Sequence, residues 1–202
     1  VMTHGGSSSG TRKEFFEAIL NYNRTFGDHQ VGGTLKYTQD QTTNTTDNSG
    51  YNWLSRKHQG LAGRFTYGWK YRYFFDFNFG YNGSENFATG NQFGFFPAYS
   101  VAWNVAEEAF IKKNLKWMNM FKIRYSYGKV GSDYVNGARF PFLATFQDNG
   151  SYNWGDYNNG DSDGGLMYKS ISSDAVTWEV ATKHDVGIDL SLWNDKISAT
   201  VD

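Results

Sequence analysis

Residues 60–82, GLAGRFTYGWKYRYFFDFNFGYN, constrain what this chain can fold into more than any other stretch. In the second limb Tyr73, Phe75, Phe77, Phe79 and Tyr81 are all aromatic, while Asp76, Asn78, Gly80 and Asn82 between them are polar or small. Side chains alternate faces along a strand, so one face carries a ladder of rings and the other is wet. The first limb repeats the scheme, with Leu61, Phe65, Tyr67 and Trp69 against Ala62, Arg64, Thr66 and Gly68. A soluble antiparallel sheet would alternate too. Length and ring placement favour lipid: roughly ten residues let a tilted strand cross a bilayer core, and rings crowded toward strand ends suit the interfaces. The fold class expected is all-β, an antiparallel transmembrane β-barrel segment.

The rest of the composition agrees. With 23 glycines, two prolines and 19% aromatic residues in 202, the chain is neither disordered nor helical in character, and nothing marks a boundary within residues 1–202. A mean hydropathy of -0.62 fits a barrel, because only every second strand residue meets lipid and the loops are polar. No run of about 18 apolar residues offers a transmembrane helix. A net charge of -1 gives no footprint for nucleic acid, and the absence of cysteine removes disulfides and thiolate metal sites. The opening VMTHGGSSSG has no export-signal pattern and the closing KISATVD stops within an alternating run, so the chain is expected to be an internal piece of a longer protein.

Taken in order, strands are expected over 14–26 and 30–38, joined by Gly27 and Asp28. A long loop is expected over 38–59, the hairpin over 60–82, a second loop over 83–93 and a strand over 95–105. Residues 106–117 carry the best helical pattern, with Glu107 and Glu108 early and Lys112 and Lys113 late, as a helix dipole prefers. This short helix falls on the short-turn, periplasmic side. A strand over 120–128, an irregular stretch over 129–176 and a last hairpin turning at Trp193–Lys196 complete roughly eight strands. Alternation of short and long links is the outer-membrane barrel pattern. A complete eight-stranded structural barrel and a soluble β-sandwich binding module are the other architectures the pattern allows.

No catalytic grouping emerges, and an enzyme is not expected: His4, His29, His58 and His184 are scattered, and adjacent Glu107 and Glu108 would point apart on a helix. Candidate substrate-binding residues are Tyr51, Trp53, Tyr152, Trp154 and Tyr157, rings in polar loop sequence where they could stack on a sugar or pack the loops. Asn159, Asp161 and Asp163, followed by Gly164, imitate the first half of a calcium loop, but position twelve is Ser170 rather than a bidentate Glu. No cofactor is expected.

Five segments, FGDHQVGGTLKYTQ, GLAGRFTYGWKYRYFFDFNFGYNGSENF, QFGFFPAYSVAWNVAEEAF, KIRYSYGKVGSD and TWEVATKHDVGIDLSLWNDKISATVD, occur in an order that resembles the barrel of the SusC/RagA-type TonB-dependent outer-membrane receptors of Bacteroidetes. Gln92 stands where that family usually has a basic residue. The resemblance implies a 22-stranded barrel of which this chain supplies about eight strands, in the cell outer membrane. It implies energised import of glycans or peptides, with a SusD-like surface lipoprotein outside. It also implies coupling to TonB–ExbB–ExbD through a plug and N-terminal part that this chain lacks.

Overall fold

A computed structural model describes residues 10–44, 51, 54–115, 117–136, 138–155 and 161–202. The strands are β1 Thr11–Phe26, β2 His29–Asn44, β3 Arg56–Trp69, β4 Tyr73–Ser84, β5 Phe93–Asn104, β6 Met118–Ser132, β7 Thr145–Trp154, β8 Asp161–Ser170, β9 Glu179–Leu192 and β10 Ile197–Val201. Eight form one antiparallel sheet in the order β1-β2-β3-β4-β5-β6-β9-β10, and β7 pairs only with β8. The expected eight-strand arc is therefore present, with an additional hairpin hung between β6 and β9.

Register keeps the two faces separate across the sheet. Phe65 stands opposite Phe77, Phe77 opposite Tyr99, and Tyr99 opposite Tyr127, all ring-bearing. One position along, Arg64 faces Asn78 and Asn78 faces Ala98, so polar and small residues share the other side. Gly63 interrupts the ring face for a steric reason: the Phe79 ring lies where its Cβ would be. A strand rising about 3.4 Å per residue and tilted by about 40° climbs roughly 21 Å from Tyr73 to Tyr81, close to the height of an apolar membrane band. Rings close off both limits of that band. On the turn side Trp69 stacks on Tyr73 at 5.7 Å and Tyr73 on Trp103 at 6.4 Å, and on the loop side Tyr81 stacks on Phe93 at 5.2 Å.

The sheet has almost no protein core. Among the described residues the buried hydrophobics are Phe87, Phe96, Val105, Ala106 and Phe140, while Tyr73, Phe75, Tyr81 and Val101 are exposed. A sandwich would cover that ring face with a second sheet, so the sandwich reading fails. A complete eight-stranded barrel fails as well, because β1 and β10 lie at opposite edges and do not pair.

Tight links sit on the turn side. Lys70 and Tyr71 both have positive φ, 51° and 55°, and Arg72 N–H donates to the Trp69 carbonyl at 2.9 Å, the primed turn that matches strand twist. Trp193, Asn194 and Asp195 are also left-handed, and Asn194 N–H is held by the Asn119 side chain at 2.8 Å. The expected helix forms as a 3₁₀ turn over Val105–Glu107 followed by α1, Ala109–Asn114.

The loops are shorter than the sequence indicates. Residues 38–44 and 56–59, expected in a long loop, continue β2 and β3 as a paired ladder from Thr38↔Gly60 to Thr42↔Arg56. Both faces are wet there, so no apolar period marks the strands. The link between β4 and β5 shrinks to 85–92, and the irregular stretch after β6 contains β7 and β8.

The face assignment predicts a parity effect. Lysine at Phe77 or Ile188 should destabilise the intact barrel by about 2 to 4 kcal/mol, and lysine at Asn78 or Ser100 by much less. Reversible unfolding in detergent or lipid measures the difference; equal costs at both parities would contradict it.

Candidate functional site

The inward face is a wall of matched charges. Arg64 Nε donates to Asp76 at 2.9 Å, and Asn78 Nδ2 donates to the same carboxylate at 2.7 Å. Lys36 pairs with Glu17 at 2.5 Å. Arg124 lies between Asp189 at 3.3 Å and Asp202 at 2.5 Å, and Lys122 Nζ sits 4.9 Å from the centre of the Phe74 ring. Arg64, Phe74, Asp76, Lys122, Arg124 and Asp202 border a groove of about 660 Å³ on the sheet's inner side. Such a wall offers hydrogen bonds to a hydrated solute without favouring either sign of charge. Lys70 lies apart from this wall: it sits in the turn, 3.5 Å from Asp28 and 5.3 Å from the centre of the Trp69 ring.

On the loop side, Arg139 does what no sequence pattern announces. Its side chain is only 8% exposed. Its guanidinium donates to the carbonyls of Tyr51 at 3.0 Å, Leu54 at 2.7 Å and Ser55 at 3.1 Å and to Glu85 at 2.5 Å, and it lies over the Phe140 ring. One planar fork thus ties the β2–β3 and β4–β5 links to the segment after β6. Asp133 adds a second tie, accepting from Ser84 at 2.6 Å and standing 3.5 Å from His58, which also lies 3.4 Å from Asp40.

A third set of rings seals the rim where β5 and β6 part. Their ladder stops at Ala98↔Gly128, immediately after Pro97, which has no N–H to continue it. Phe87, fully buried, and Phe96 both pack on Trp178, at 5.3 Å and 5.2 Å. The Phe96 ring occupies the space a Cβ would need at Gly94 and Gly131, so both positions must be glycine for the seal to close.

The candidate binding rings fare differently from one another. Tyr51 is half-buried: its ring meets Phe140 edge-on at 5.8 Å and its hydroxyl donates to the Ala144 carbonyl at 3.2 Å. Trp53 and Tyr157 lie outside the described residues. Tyr152 and Trp154 share β7 with centroids 4.5 Å apart, and they remain 64% and 58% exposed. Of the calcium motif, Asn159 lies outside the described residues, while residues 161–170 form β8. An extended strand cannot wrap those positions around one centre. Phe140, Pro141 and Phe142, an apolar run in a polar stretch, are the sequence signal that could have located the Arg139 anchor.

On the turn side Glu108 departs from its expected dipole role. It sits at the helix N-cap without a side-chain cap bond, and its carboxylate accepts from Tyr73 Oη at 2.8 Å and Trp103 Nε1 at 3.2 Å, with Arg72 at 3.5 Å. The Tyr73 bond, then the Trp103 bond, hold its carboxyl below the ordinary glutamate range, with Arg72 adding to them against desolvation. Glu107 pairs with Lys112 at 2.8 Å instead.

A one-layer antiparallel sheet, ringed by aromatics on one face and charge-paired on the other, is an arc of a transmembrane β-barrel. The comparisons with known proteins narrow that class. The chain is similar to TonB-dependent receptor P3 of Formosa agariphila, 24% identical over 95% of the chain and 21% of that receptor. It is also similar to TonB-dependent receptor SusC of Bacteroides thetaiotaomicron, 28% identical over 69% of the chain and 14% of that receptor. Its fold matches the RagAB peptide transporter with a TM-score of 0.70 at 15% identity, over 95% of this chain and 23% of that one. No protein-family model matches. The chain is thus a barrel segment similar to the SusC/RagA-type TonB-dependent receptors, spanning about a fifth of the length of the first two curated relatives it matches.

Two substitutions test these anchors. Arg139→Ala should strip hydrogen-exchange protection from residues 54–55 and loosen the three links together, at a cost of about 3 kcal/mol from the stranded Glu85 and carbonyls; unchanged protection would contradict the clamp. For Glu108 the folded pKa is depressed, so its contribution is present above the unfolded value and lost as pH falls through the folded one. Acidification should therefore loosen α1, and Glu108→Gln should be looser at neutral pH and flatten that dependence; exchange in α1 that follows the wild-type pH profile in the variant would contradict it.

Proposed function

We propose that the protein containing this segment imports a hydrated solute, a glycan or a peptide, across the cell outer membrane by TonB-energised transport. The supporting observation is the division of one sheet into a ring-covered face and a charge-paired face: lipid lies outside and water inside. Residues 1–202 are then one continuous part of the barrel domain. A SusD-like surface lipoprotein covers the mouth, and TonB–ExbB–ExbD engages a part of the protein outside this segment. The peptide reading has its support in the likeness to the fold of the RagAB peptide transporter.

Substrate capture is assigned to the loop-side rings Tyr51, Trp53, Tyr152, Trp154 and Tyr157. Tyr152 and Trp154 are the most available, because Tyr51 already packs on Phe140. Each ring would contribute about 1 kcal/mol through stacking and burial. Cells relying on this receptor should take up radiolabelled substrate only while TonB is functional, and uptake that persists without TonB would overturn the transport reading. Alanine at both Trp53 and Trp154 should weaken capture roughly thirtyfold if the two terms add, with normal surface levels. Undiminished capture in that variant would transfer these rings to packing or lid contact.

A further inference from the structure

We infer that the β7–β8 hairpin captures a cationic group, an ammonium or guanidinium on the incoming solute, at the face formed by Tyr152, Trp154 and Asp163. This rests on the reading that these rings meet substrate, and it names the chemistry they select. Tyr152 and Trp154 stand two positions apart on β7, so they share one face, and Asp163 is the cross-strand partner of Tyr152. The rings meet at 66° with centroids 4.5 Å apart, an edge-to-face pair that leaves π surface open. A cation is attracted to such a surface, and a carboxylate alongside adds a charge-assisted hydrogen bond.

Charge distinguishes this hairpin from the wall of the main sheet. Along the wall Lys36, Arg64 and Arg124 are matched by Glu17, Asp76, Asp189 and Asp202. Residues 145–170 instead hold Asp148, Asp156, Asp161 and Asp163 against Lys169 as the sole basic residue. Among the described residues neither Asp148 nor Asp163 makes an ion pair. A neutral glycan stacked on the rings would draw nothing from this excess of carboxylates, and an anionic solute would be repelled. A cationic one is drawn in by the field and held by the rings. The hairpin is also paired apart from the barrel sheet, and both rings remain more than half exposed.

The experiment uses the full-length receptor purified in detergent and measures equilibrium binding of four oligomers: tetralysine, a glucosamine tetramer, maltotetraose and tetraglutamate. The cationic probes should bind about tenfold more tightly than maltotetraose, and the gap should shrink in about 0.5 M NaCl. Asp163→Asn, which keeps the shape of the site, should weaken the cationic probes about three- to tenfold, whereas Asp148→Asn, across the register shift and opposite Leu166, should change them less than about twofold. Tetralysine ahead of the glucosamine tetramer assigns the cation to a basic peptide, and the reverse order to an amino sugar. Maltotetraose binding as tightly as the cations, or an Asp163→Asn variant with undiminished affinity for them, would overturn the inference. Binding is read without energisation, so a receptor that binds tetralysine yet imports nothing would sink the transport reading and leave this one standing.

Discussion

Every backbone N–H and C=O that faces hydrocarbon must find a partner within the protein, and that requirement organises this chain. The ladders run across the membrane band in each pair from β1 to β5 and from β6 to β9, with β5 and β6 paired from Asn104 up to Ala98 and β10 added along the turn-side end of β9. With the backbone satisfied by neighbouring strands, the side chains are free to divide by parity. Rings and aliphatics take the lipid side, and ion pairs take the water side. The shortage of a buried core follows directly, because lipid stands in for the second layer that a soluble sheet would need.

Where the ladders stop, different physics holds the chain. At the loop side the β5–β6 ladder stops at Ala98↔Gly128 and side chains take over: the Phe87–Phe96–Trp178 cluster fills the parting, and Arg139 satisfies three loop carbonyls at once. At the turn side Glu108 ties the link carrying α1 to the interfacial rings Tyr73 and Trp103. Both devices are polar groups anchored among aromatics, and each fixes a link whose own sequence has little tendency to order. The loop side is thereby a braced rim rather than a set of independent loops, and the β7–β8 hairpin is mounted on it.

How much of this was legible follows from the same physics. The hairpin at 60–82, the strand at 95–105 and the final turn at Trp193 were readable because lipid on one face and water on the other impose a period of two. The same strands vanish from view at Thr38–Thr42 and Arg56–Gly60, where both faces are wet although the pairing continues. β7 and β8 were missed partly because a register shift between Asp148 and Ser151 breaks the alternation that would reveal them. Arg139 was invisible for a different reason: three of its partners are backbone carbonyls, which carry no residue signature. Glu108 was read as a helix-dipole charge since its ring partner Tyr73 lies 35 residues away. Of the candidate binding rings, the sequence could show their polar surroundings but not that Tyr51 is already occupied by Phe140.

The division of faces is the claim on which the rest depends, and the segment's lack of cysteine makes it directly measurable. Single cysteines at Phe77, Tyr99 and Ile188 and at Asn78, Ser100 and Ser126, each labelled with an environment-sensitive fluorophore in the full receptor reconstituted in lipid, would be challenged with brominated lipid and with aqueous iodide. Quenching by brominated lipid at the first three and by iodide at the second three is the expected result. Iodide reaching both sets alike, or brominated lipid reaching neither, would contradict a sheet that separates lipid from water.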